Sequence, residues 1–96
     1  MKNIEVDIYM NQFIGFFDKN PKELTDLIGN IDKNIFFQKI REQCIKNLEK
    51  DGEPSLKRDE IIQIIVHLHR NDNLNYEIGN IKEVFQKTKF GEICLN

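Results

Sequence analysis

Between Lys57 and Arg70 the chain reads KRDEIIQIIVHLHR, a stretch that few folds can accommodate. At about 100° per residue, Ile64, Leu68, Ile61, Ile65, Ile62 and Val66 fall in that order over an apolar arc roughly 200° wide, about twice what a surface helix needs. A helix with that much apolar circumference must be covered on two sides, so the other segments are expected to pack around it as a central helix. Isoleucine and valine suit a buried strand equally well, and periodicity alone does not separate the two. The start signal does. With Lys57 as N-cap, Leu56 stands one position ahead and can staple onto Ile61. Glu60 takes the third helical position, from which a carboxylate reaches back to the cap. Lysine is a poor cap, so Ser55 is the alternative. Pro54 lies just upstream, and Asp59 and Glu60 in the first turn against His67, His69 and Arg70 in the last complement the helix dipole.

The 96 residues are expected to form one domain, 1–96, with a core just large enough to fold unaided. The longest apolar run is too short to span a bilayer, and MKNIEVD lacks the apolar stretch of a secretory signal. The expected location is therefore the cytoplasm, with no membrane association. Cys44 and Cys94 show no CxxC spacing and are expected to stay reduced, and Cys94 stands one position too late for prenylation. Fourteen basic and 16 acidic residues are evenly mixed, so the net charge of -2 gives no overall field favouring nucleic acid. Fifteen Ile, 11 Lys and 11 Asn with no Ala at all form the bias of A- and T-rich codons, compatible with a phage, a mobile element or a low-GC bacterium.

Along the chain, Asn3 to Met10 alternate, with Ile4, Val6, Ile8 and Met10 on one side, which is a strand pattern. A rival reading runs a helix from the terminus with Val6, Met10, Phe13 and Phe17 at helical spacing, and the two stand side by side. From Asn11 to Asp18 the period is helical. Asn20-Pro21-Lys22-Glu23 is a cap, a first helical proline and a capping-box glutamate, opening a short helix with Leu24, Leu27 and Ile28 inward and Gly29 at its stop. A third helix begins near Asp32 on a stripe of Phe37, Ile40, Cys44 and Leu48, flanked by Phe36 and Ile45, and leaves at Gly52. Asn71 to Asn75 reads as a turn-rich loop, Asn80 caps a last short helix, and Phe90 to Leu95 alternate weakly as the one strand partner in sight for the first segment.

Few residues carry chemistry. On a helix His67 and His69 diverge by about 160° and cannot share a metal, so His67 is read as solvated and His69 as a core-edge residue bonded to a carbonyl. Asn71, Asn73, Asn75 and Glu77 mimic a calcium loop, but Tyr76 fills the glycine position and Lys82 the closing acidic one. Ser55 and Cys44 have no histidine at a suggestive spacing, and there is no phosphate loop. The doublets Phe16-Phe17 and Phe36-Phe37 diverge by about 100° each, which means either surplus aromatic surface or a thick core.

The expected fold is mainly α: a bundle of four or five short helices around the central helix, with a two-stranded pairing of the termini under the strand reading. The expected function is that of a non-enzymatic interaction or regulatory protein, binding a protein partner or a second copy as a homodimer through Phe16, Phe36, Ile14 and Ile45. No catalytic residue, metal or cofactor is expected. The alternative is a small helix-turn-helix-like DNA-binding regulator contacting DNA through Lys82, Lys87 and Lys89.

Overall fold

A computed structural model describes residues 4–71 of the chain. Within them lie α1 (Ile4–Lys19), α2 (Pro21–Ile28), α3 (Lys33–Asp51) and α4 (Arg58–Asn71). The main packing forms a cycle: α1 lies against α2 and α3, and α4 lies against the same two. Among the described residues α4 is thus one member of a bundle and not an axis ringed by the rest.

The first segment is helix, which removes the strand pairing of the termini. Val6, Met10, Phe13 and Phe17 form one inward face, none more than 4% exposed, whereas Ile4 and Ile8 of the alternating set are 61% and 57% exposed. The helical period buries four large side chains together, and among the described residues no strand offers itself as a partner. The tail segment Phe90 to Leu95 lies outside the described residues.

Asn20 opens α2 as expected but by a different bond. Its side chain makes no cap to α2; instead its backbone N and Nδ2 both donate to the Phe16 carbonyl, at 3.0 and 2.9 Å, closing α1. Proline at the first helical position supplies the start. Asp32 caps α3 directly, accepting from Asn34 N at 2.8 Å, and Gly52 leaves it at φ 78°, with its N–H donating to the Leu48 carbonyl.

The buried stripe of α3 is Phe36, Ile40, Cys44 and Asn47, with Phe37, Ile45 and Leu48 half-buried. This is rotated from the expected stripe, because α3 must turn the amide of Asn47 toward the start of α4. The doublets fill the core rather than overflow it: Phe17 packs at 5.3 Å from Phe16, 6.4 Å from Phe36 and 6.2 Å from Phe37, with 5.6 Å between Phe36 and Phe37. Such tilted and edge-on rings stabilise beyond their area alone.

The wide arc of α4 is buried as its pattern demands. Ile61, Ile62, Ile65, Val66 and Leu68 are all buried, and Ile64 is half-buried at the edge. Lys57 is the cap: its N–H donates to Glu60 Oε1 at 2.7 Å, while its carbonyl accepts from Glu60 N and Ile61 N. Leu56 and Ile61 belong to the same core cluster, as the staple requires.

Candidate interaction surface

Two grooves of about 530 Å³ each flank α3. The one toward α4 is edged by Lys39, Glu42 and Lys46 on α3 and by Asp59, Glu60 and His67 on α4. Its charges are of both signs, and Lys39 and Glu42 meet at only 3.8 Å while half-exposed, a contact worth little.

Glu60 is already committed to structure. Besides capping Lys57, its Oε1 accepts from Asn47 Nδ2 at 3.0 Å and its Oε2 from Gln43 Nε2 at 3.1 Å. Asn47, only 4% exposed, also donates to the Ser55 carbonyl at 2.9 Å and accepts from Gln43 Nε2 at 3.0 Å. Tyr9 adds α1 to the same junction, its hydroxyl accepting from Leu56 N at 3.0 Å. These bonds clamp the entry of α4 onto α3, where a buried polar group needs its partners to be tolerated at all.

Cys44 sits beside this clamp. Burial first, and then the negative charge of Glu60, push its thiol up to about 12, with Arg41 opposing. At neutral pH it is a protonated, buried group, ineffective as a nucleophile.

The second groove lies between α1 and α3, which run antiparallel: Asp7 near the start of α1 meets Arg41 at 2.7 Å, while Phe17 at its end meets Phe36 and Phe37. Met10, Ile14 and Phe37 give the groove an apolar floor, and Asn11, Asn34 and Gln38 give it a neutral amide rim. Its cation, Arg41, is engaged by Asp7. Amides both donate and accept, so this rim suits a partner's polar groups while the floor takes an apolar side chain.

Of the four residues expected to form a contact surface, Ile14 alone lines this groove. Phe36 is a correction: it is 0% exposed and packed between Phe17 and Phe37, so its ring is core. Phe16 is half-buried, and its position two residues from Ile14 puts it on the opposite shoulder of α1. Ile45 is half-buried one turn beyond Arg41 on α3, outside the groove. The sequence reading missed Phe37, taken for core, and the amides of Asn11, Asn34 and Gln38. Once α1 is read as a helix, spacing from Phe13 and Phe17 would have set Ile14 and Asn11 on its α3-facing shoulder.

His69 is buried, and its Nε2–H donates to the Leu27 carbonyl at 3.1 Å; the bond to a backbone carbonyl is the one read from the sequence, and it joins α4 to α2, while His67 is exposed. Among the described residues no group of three or more His, Cys, Asp or Glu side chains is placed to hold a metal ion, and no helix is long and apolar enough to cross a membrane. Asn73, Asn75 and Glu77 of the calcium-like pattern, and Lys82, Lys87 and Lys89, lie outside the described residues. No family model matches the chain, and no curated protein or solved structure matches it.

Proposed function

We propose that the chain is a non-enzymatic protein-interaction module that receives a row of apolar side chains from a protein partner in the α1–α3 groove. The observation that supports this reading is the pairing of an apolar floor, Met10, Ile14 and Phe37, with a rim of uncharged amides. A phosphate backbone calls for free cations, and among the described residues the one cation on this rim, Arg41, is tied to Asp7. An amphipathic helix or extended segment meets its requirements directly: apolar anchors go down into the floor and polar groups bond along the edge. With a groove this small, the affinity expected is on the order of micromolar.

Panning a displayed random-peptide library against the purified chain tests the reading. Enriched peptides should share apolar anchors at helical or alternating spacing. Their binding should fall at least about tenfold, roughly 1.4 kcal/mol, in Phe37→Glu and Ile14→Glu but not in Lys46→Glu, which alters the other groove. Failure to enrich any peptide, or binding indifferent to Phe37, refutes it.

A further inference from the structure

On a helix, Ile4, Ile8, Asn11 and Gly15 follow the alternating four- and three-residue spacing of a helix-pairing seam. Ile4, Ile8 and Gly15 point away from the inward face of α1, about 170° around the helix from Val6, Met10, Phe13 and Phe17, and Asn11 stands at the edge of this seam toward the α1–α3 groove. Ile4 and Ile8 are the two most exposed large apolar side chains among the described residues, at 61% and 57%. Gly15 lies mid-helix, where glycine is the least favoured residue after proline. Packing among the described residues gives no reason for it, because a Cβ added there would meet nothing within 4 Å. The result is two exposed isoleucines at one end of a helix face and an open notch toward the other.

We propose that α1 pairs antiparallel with the α1 of a second copy across this face, with Ile8 of each seated on Gly15 of the other. Two-fold symmetry makes the contact twice from one patch. The same register lays Ile4 over the aliphatic stem of the second copy's Lys19 and brings that ammonium within reach of Glu5. Long basic side chains cover apolar surface in this way while their charge stays in water. Glu5 and Lys19 share one flank of the seam, and in an antiparallel pair like flanks face each other, so this ion pair also forms twice. Asn11 and Gln12 straddle the symmetry axis, where amides can bond across it and fix the register. The other flank carries Asp7 and Asp18, and the Arg41 guanidinium on Asp7 reduces their repulsion.

Two isoleucines and a notch fall well short of the roughly 800 Å² per partner of a standard interface, so the pair is weak and forms on the order of 0.1 mM. Its anchors Ile4, Ile8 and Gly15 lie outside the α1–α3 groove, with which the seam shares the edge at Asn11 and Asp7, and substitutions at Gly15 and at Phe37 separate the two.

Sedimentation equilibrium of the full chain from about 10 µM to about 1 mM tests the pair. The parent should shift from monomer to dimer. Gly15→Leu should stay monomeric while its melting temperature, measured at the low concentration, is equal to or above the parent's, because the site is open and leucine favours helix. Glu5→Lys and Lys19→Glu should each weaken association, and the two together should restore it. Phe37→Glu should leave the dimer intact. A parent monomeric throughout, a Gly15→Leu variant that dimerises as the parent does, or a charge exchange that restores nothing overturns the proposal.

Discussion

Replacing Asn47 with leucine keeps the side chain near its native size and removes three hydrogen bonds at once. Those to the Ser55 carbonyl and from Gln43 join neutral groups, and the third ends on the Glu60 carboxylate. At about 1 kcal/mol for each neutral bond and about 1.5–3 kcal/mol for the charged one, the gross loss is roughly 3.5–5 kcal/mol. Ser55 and Glu60 are half-buried, so water replaces part of what they lose and the net cost is roughly 2–3 kcal/mol. In a domain of this size that lowers the melting temperature by roughly 10–20 °C. Circular dichroism melts and urea titrations of parent and variant measure it. Asn47→Asp sharpens the test by setting a carboxylate against Glu60 in place of a donor. It should be worse than leucine at neutral pH and recover part of the difference near pH 4, about where carboxylates protonate. An Asn47→Leu variant melting within about 3 °C of the parent would refute the clamp, since even one net bond is worth more than that.

Cys44 makes stability fall at alkaline pH. The folded thiol keeps its proton up to about 12 while the unfolded one releases it near the ordinary 9.0, so its contribution is whole below 9.0 and is lost as pH rises toward 12. Cys44→Ala should flatten that loss by up to about 1.4 kcal/mol per pH unit in urea titrations across this window. Gly52→Ala places a Cβ at φ 78° and should destabilise by about 1 kcal/mol or more, whereas Gly15→Ala should stabilise by a similar amount; thermal melts of the two should move in opposite directions. Ile65→Asp buries an unpaired carboxylate at a fully buried position and should unfold the domain at room temperature, read as loss of helical ellipticity. A cooperative melt within a few degrees of the parent would refute the placement of α4.

What the sequence disclosed best was α4, because its apolar arc, its capping box and its staple all point to one answer, and the bond from Lys57 N to Glu60 bears the reading out. Residues 4–10 were ambiguous because β-branched residues in alternation satisfy both periods locally. The choice falls to the Phe13 and Phe17 continuation, which extends the helical face and not the strand face. Asn20 shows that a strong local signal can name the right boundary through the wrong bond, since one amide can close the helix before it or open the helix after it. The buried Asn47 was not legible. Nothing in its neighbours on α3 announces that a carbonyl and a carboxylate from the next helix converge there. The α1–α3 groove was half legible: Ile14 was singled out, but its partner ring was taken to be Phe36 when Phe37 lies one residue further round.

The bond network at Glu60 also governs what Ile61 to Val66 can become before the bundle is complete. IIQIIV has no charge, no proline and no glycine, and its β-branched residues give it the composition of segments that stack into cross-β fibrils when left exposed. Its helical nucleus at Lys57 is capped by Glu60, and Glu60 is gripped by Gln43 and Asn47, which lie 17 and 13 residues earlier in the chain. The safeguard against self-templating is therefore held by α3 and not by the hazardous segment itself. During synthesis α3 leaves the ribosome first, so the residues that commit this run to helix are already outside when it emerges.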